Sequence, residues 1–122
     1  MKIFSCCFKI FQMDNLIKTL TDVVFEVTER NIQLGVRQDC SFCPVAIAIN
    51  KELNDSVQAF AMKNVLILQN KFNKEFIYSV AWPLKVESFI EDFDANKQIK
   101  PFKFKLDIPE KLLSPSARKV KQ

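Results

Sequence analysis

The segment from Val24 to Ile49 constrains the fold of this chain more than any other stretch. An alternating apolar pattern from Val23 to Val27 predicts a short β-strand, and Thr28 after it is a favourable helix N-cap residue. Gly35, the only glycine of the chain, is placed to end the helix in the left-handed conformation that glycine adopts without penalty. The pattern therefore predicts a strand followed by a helix of barely two turns.

A second helix is predicted directly after a pair of cysteines. Cys40 and Cys43 precede Pro44, and proline suits the first position of a helix because its missing N–H had no partner there. The run from Val45 to Ile49 contains no polar residue, so we expect this part of the helix to be buried on all sides. Together the two helices and the strand form a βαα unit.

The second half of the chain adds four strands and one helix. Three apolar runs separated by short polar connections predict an antiparallel meander over 57–62, 65–68 and 76–80. Pro83 opens a helix with Val86, Phe89, Ile90 and Phe93 on one face, and strict alternation from Phe102 to Ile108 predicts a half-buried strand. The fold class is therefore a small α+β domain with a mainly antiparallel sheet of about four to five strands, covered by two or three helices.

The chain of 122 residues, 48% of them hydrophobic, is the right size for one domain with a single core. We divide it into an N-terminal extension at 1–20 with a short helix over Asn15 to Leu20, a core domain at 21–108, and a flexible basic tail at 109–122. Residues 1–12 could pack on the domain, contact a membrane surface or partner, or precede a native start at Met13. They lack the length for a transmembrane segment and the pattern of a signal peptide, so we expect a cytoplasmic protein.

Composition argues against several functional classes. The chain has no histidine, which removes the commonest general base and the commonest metal ligand. Residues 110–122 carry four basic residues and one acidic residue, and without them the net charge of +4 falls to about +1. No phosphate-binding loop, nucleophile elbow or metalloprotease motif is present. We therefore expect a protein that is not an enzyme, with no catalytic residue, metal or cofactor.

Cys40 and Cys43 are the sharpest chemical signal. A thiolate at a helix N-terminus is stabilised by the helix dipole, which is the arrangement of dithiol oxidoreductases. A zinc site would need four ligands, and only Cys6 and Cys7 could complete the set. The third interpretation is that the two thiols are structural and buried.

Two other groups of residues are candidates for binding. Arg37 could hold an anion beside the second helix, and Asp39 could pair with an arginine or cap that helix. Trp82 could form an aromatic contact surface or pack in the core. Lys103 and Lys105 could belong to a basic stripe for single-stranded nucleic acid, together with Lys71, Lys74, Lys97 and Lys100, or could protect a sheet edge.

The chain resembles a family of small hypothetical proteins from bacterial and bacteriophage genomes. The resemblance rests on the block T-x-x-x-I-x-x-G-x-x-x-x-C-x-x-C-P-V-A-x-A from Thr28 to Ala48, on residues 89–96, and on P-F-x-F-x-L from Pro101 to Leu106. Asp92 and Asn96 stand where the family more often has arginine and glycine. The resemblance implies a shared core from Val23 to Leu106 and no activity.

The sequence as a whole favours a non-enzymatic interaction protein that binds a macromolecular partner, most naturally another protein. A nucleic-acid-binding protein is the first alternative, and a dithiol redox or zinc protein acting through Cys40 and Cys43 is the second. The oligomeric state is left open by the sequence.

Overall fold

The computed structural model describes residues 20–115 of the chain and confirms the α+β class. Within these residues, three helices and five strands follow one another, and a single 3₁₀ turn comes last. In chain order they are β1 (Leu20–Val27), α1 (Glu29–Leu34), α2 (Pro44–Asn50), β2 (Val57–Ala61), β3 (Val65–Asn70), β4 (Phe76–Ala81), α3 (Leu84–Asp94), β5 (Phe102–Pro109) and the 3₁₀ turn Glu110–Leu112. The helix expected at 15–20 lies outside the described residues except for Leu20, which instead begins β1.

The first and last strands pair with each other. β1 and β5 form an antiparallel two-stranded sheet in which Val23 is opposite Leu106 and Phe25 is opposite Phe104. The Phe25 and Phe104 rings stack with their centroids 5.5 Å apart, on the face that is buried in the core. This pairing brings the two ends of the described chain together.

The other three strands form the predicted meander. β2, β3 and β4 lie side by side in sequence order and are antiparallel, with a register irregularity between Leu68 and Gln69. The five strands thus belong to two antiparallel sheets, whereas the sequence pattern predicts one mainly antiparallel sheet. The Tyr78 hydroxyl of β4 donates a hydrogen bond of 2.9 Å to the carbonyl of Asp107 in β5 and links the two sheets.

Gly35 ends α1 as predicted, but the predicted reason for a glycine at this position is wrong. Thr28 caps α1 as expected, since its hydroxyl accepts from the Asn31 N–H and the Asn31 side chain accepts in return from the Thr28 N–H. Gly35 then has φ −68° and ψ 150°, which is extended backbone and not the left-handed conformation. A Cβ at this position would lie 2.6 Å from two ring carbons of Pro44, so glycine is required here by close packing.

The expectation for α3 is confirmed, and the expectation that α2 is buried on all sides is confirmed except at Ile47, which is half-buried. Val45, Ala46, Ala48 and Ile49 of α2 are all at most 1% exposed, as a helix without a polar face requires. In α3, Val86, Phe89, Ile90 and Phe93 are the buried residues.

The folded region extends beyond residue 108, where the sequence pattern placed the start of a flexible tail. Leu112 and Leu113 are buried, at 7% and 0% exposure. Leu113 forms an isolated antiparallel bridge with Leu53, and the Asn54 N–H donates to the Leu112 carbonyl over 2.9 Å. These residues close the core behind α2.

Candidate functional site

Asp39 shapes the loop that joins α1 to α2. Its Oδ1 accepts hydrogen bonds from the Ser41 hydroxyl at 2.8 Å, the Ser41 N–H at 3.0 Å and the Phe42 N–H at 3.2 Å. These bonds, with the Ser41 hydroxyl first, lower the pKa of Asp39 below its ordinary value of 3.8. Asp39 thus organises its own loop, in place of the arginine pair or helix cap expected from the sequence.

Arg37 is held against the end of α3. Its guanidinium donates to the side-chain oxygen of Asn96 and lies 5.3 Å from the centre of the Phe93 ring. The next residue, Gln38, donates its N–H to Asp94 over 2.9 Å. Gln38 and Asn96 both have a φ of 61°, which is uncommon for residues other than glycine. These contacts fix the position of the guanidinium and use one of its five N–H donors for a hydrogen bond.

The two cysteines of the loop are free thiols in different environments. Cys43 is 3% exposed and is the N-cap residue of α2. Burial raises the pKa of this thiol above its ordinary value of 9.0, although the N–H groups of Ala46 and Val45 act in the opposite direction. Burial of Cys43 therefore opposes the thiolate that a helix N-terminus favours.

Asp39, Cys40 and Cys43 meet in one pocket of about 450 Å³, between the loop, the β2–β3 turn and α3. Lys63, Glu91 and Asp94 also line it. Within residues 20–115 no group of three or more His, Cys, Asp or Glu side chains is arranged to hold a metal ion. Cys6 and Cys7, the other sequence candidates for a zinc site, lie outside the described residues.

Trp82 belongs to the core. It is 5% exposed, its indole N–H donates to the Met62 carbonyl over 2.7 Å, and its ring meets the Phe104 ring edge to face at 6.3 Å. The structure therefore agrees with core packing of Trp82 and not with an exposed aromatic contact surface, because the buried ring is not available for stacking on a ligand.

Lys103 and Lys105 project from the outer face of the β1–β5 sheet, where they are exposed. Three carboxylates share this face, because Glu26 is opposite Lys103 and Asp22 is opposite Asp107. The ammonium group of Lys105 lies 3.9 Å from a carboxylate oxygen of Asp22. The outer face of this two-stranded sheet is therefore of mixed charge.

A groove with a largely apolar lining lies beside these lysines. It consists of two cavities that share Lys85, one of about 710 Å³ between α3 and residues 98–102, and one of about 520 Å³ between the start of α3 and the β1–β5 sheet. We call it the α3–β5 groove, and its defining residues are Val24, Leu84, Lys85, Phe89, Lys100, Phe102, Lys103 and Lys105.

Two exposed apolar side chains in the groove were not identified from the sequence. Leu84 is 78% exposed and Val24 is 53% exposed. In both cases the sequence pattern could have identified the residue. Val24 follows Val23 and precedes Phe25 in β1, so it lies on the face of the strand opposite to these two buried residues. Leu84 does not belong to the buried apolar stripe of α3. Single exposed apolar residues are common on protein surfaces, and these two are candidate contact residues because they line the groove.

The charge of the groove is biased towards lysine. Lys85, Lys100, Lys103 and Lys105 line its two cavities, and the only carboxylate among the described lining residues is Asp92. Asp92 already lies 3.9 Å from the ammonium group of Lys97. An apolar floor with cationic walls selects a ligand that is apolar and anionic.

No protein-family model, curated protein or solved structure matches this chain. The family resemblance therefore stays a prediction. Among the helices described within residues 20–115, none has the length and apolarity needed to cross a membrane.

Proposed function

We propose that the protein is a non-enzymatic interaction module of the cytoplasm that binds a partner protein through the α3–β5 groove. The observation that carries this proposal is Leu84, a large apolar side chain that is 78% exposed and lines the larger cavity of the groove, next to Lys85, which lines both cavities. Burying a leucine fully contributes about 1.5–3 kcal/mol to a complex. Apolar anchors in a concave surface are the usual centre of a protein interface.

Two features favour this proposal over the alternatives. A nucleic acid lying across Lys103 and Lys105 would bring its phosphates close to Asp22, Glu26 and Asp107 on the same face. In a dithiol mechanism the buried Cys43, with its raised pKa, could serve only as the second thiol, so the attacking thiolate would have to come from the half-buried Cys40.

Site-specific photo-crosslinking tests the proposal. A photoreactive phenylalanine derivative replaces Leu84 in one variant and Phe72 in a matched control, since Phe72 is 75% exposed but lies on the β3–β4 turn. Irradiation in the native host cell should give a discrete protein adduct from position 84 and none from position 72.

The adduct then identifies the partner by mass spectrometry, and purified components provide the quantitative test. Leu84→Asp should weaken binding by about tenfold or more, and Phe72→Asp should leave the affinity within about twofold. The proposal fails if position 84 yields no protein adduct, or if both aspartate variants bind the partner as well as the natural chain does.

A further inference from the structure

The edge of β5 that faces away from β1 is open along part of its length. Among the described strands, β5 has a neighbour on one side only. The Asp107 carbonyl accepts from the Tyr78 hydroxyl of the other sheet, which places this carbonyl on the side away from β1. Because backbone groups of alternate residues in a strand point the same way, the N–H and C=O groups of Lys105 and Lys103 also point away from β1. The Tyr78 hydroxyl therefore occupies the edge at Asp107, and the edge from Phe102 to Lys105 stays open.

The two sides of this open edge differ in chemistry. On the outer side are the exposed lysines 103 and 105. On the inner side is an aromatic floor, in which Phe102 lies 4.8 Å from Phe89 and 5.6 Å from Phe104 between ring centroids. A strand added here would place its side chains alternately against lysines and against phenylalanines.

We propose that an extended segment of the partner protein, with acidic and apolar residues in alternation, pairs with the β5 edge from Phe102 to Lys105. The segment becomes a third strand of the β1–β5 sheet, with its backbone bonded to Lys103 and Lys105. Its carboxylates lie beside these lysines, and its apolar side chains enter the α3–β5 groove. The inference rests on the proposed function and specifies the chemistry of the partner.

Charge disfavours a second copy of this chain at the edge. A second copy of this chain that paired through β5 would place lysine against lysine, which is how natural edge strands avoid self-association. The same lysines that oppose this pairing favour an acidic strand, so they supply specificity as well as attraction.

A nucleic acid would use the site differently from an added strand. The nearest neighbours of an added strand are Lys103 and Lys105, while Asp22 and Glu26 lie one strand further away, at roughly 10 Å. A polyanion on the face of the sheet would contact both strands and meet these carboxylates. The position of the charges therefore favours an acidic peptide at the edge.

Fluorescence anisotropy with defined peptides tests the inference on the full chain. The probe is a labelled, end-capped peptide of about six to eight residues in which glutamate and valine alternate. The comparison peptides have lysine in place of glutamate, the same composition in block order, or N-methylation of the backbone amides along one edge. We expect the alternating acidic peptide to bind and each comparison peptide to bind at least about tenfold more weakly, which corresponds to about 1.4 kcal/mol.

Charge reversal on the protein localises the binding. The double variant Lys103→Glu/Lys105→Glu should weaken peptide binding by at least about tenfold. The matched control Lys51→Glu/Lys71→Glu makes the same change in net charge at two exposed lysines on other parts of the fold and should stay within about twofold. Circular dichroism and thermal unfolding establish that both double variants keep the fold.

Three results would overturn the inference: no binding of the acidic peptide, binding that survives N-methylation, or displacement of the peptide by a thymidine oligonucleotide with higher affinity. Failure here remains distinguishable from failure of the proposed function. If Leu84 still gives its protein adduct in cells while the acidic peptide does not bind, the groove is an interface and the edge pairing is wrong.

Discussion

Replacing Gly35 by alanine tests the packing of the loop against α2 and α3. The backbone at Gly35 is extended, with φ −68°, so alanine could adopt it without strain. A conformational account alone predicts that Gly35→Ala stabilises the protein by about 0.4–1 kcal/mol, because the unfolded chain loses freedom. The structure predicts the opposite sign.

The magnitude follows from the contacts that a Cβ would make. It would lie 2.6 Å from Cδ and Cγ of Pro44 and 3.1 Å from Cζ of Phe93. Pro44 is fully buried, so its ring cannot move away freely, and overpacking of this kind costs about 1–3 kcal/mol. After subtraction of the entropic gain, we expect a net loss of about 1–2 kcal/mol, or a decrease in Tm of roughly 5–15 °C for a domain of this size.

Urea unfolding of four proteins measures this effect: the natural chain, Gly35→Ala, Pro44→Ala, and the double variant. Removing the Pro44 ring opens the space for the new Cβ, so the cost of Gly35→Ala should fall by about 1 kcal/mol in the Pro44→Ala background. A neutral or stabilising Gly35→Ala, or a cost that is the same in both backgrounds, would refute the packing explanation.

Three further predictions concern the loop, the first helix and the link between the sheets. A thiol reagent should modify the half-buried Cys40 in the folded protein and Cys43 only after unfolding, as read by mass spectrometry. Thr28→Ala should cost about 1 kcal/mol through loss of the cap on Asn31, while Thr28→Ser should cost much less, by urea unfolding. Burial raises the pKa values of Cys43 and Tyr78, so both groups stay neutral in the folded state at pH values where the unfolded chain ionises. These two groups should therefore leave stability unchanged between neutral pH and about pH 9 and make it fall above about pH 9, and Tyr78→Phe should make the decline above about pH 10 shallower while removing roughly 1 kcal/mol at neutral pH.

The elements with regular local patterns were predictable from the sequence. The apolar stripe of α3, the alternation in β5 and the short polar connections of the meander each encode the element in a few consecutive residues. The same holds for α2, whose uninterrupted apolar run matches its burial.

The features that the sequence did not predict depend on contacts between distant residues. The local pattern predicts that Gly35 ends a helix, but a glycine is needed there because Pro44 and Phe93 leave no space for a Cβ. The division into two sheets depends on the pairing of Leu20–Val27 with a strand that begins at Phe102. Leu113 forms a bridge to Leu53 and is buried with its neighbour Leu112, although most of the residues around them are polar.

The candidate site was predicted in part. Lys103 and Lys105 lie on the exposed face that the alternation of β5 indicated, and Asp39, Cys40 and Cys43 share one pocket. Leu84 could not be placed, because its role depends on how α3 is oriented relative to β5.

Amide hydrogen exchange measured by NMR tests the open edge of β5 most directly. In the free protein, the N–H groups of Lys103 and Lys105 should exchange rapidly, while those of Phe104 and Leu106, which point towards β1, should be protected. Saturation with the alternating acidic peptide should slow exchange at Lys103 and Lys105 by about tenfold or more. Protection of these two amides already in the free protein, or exchange that the bound peptide leaves unchanged, would contradict pairing at this edge.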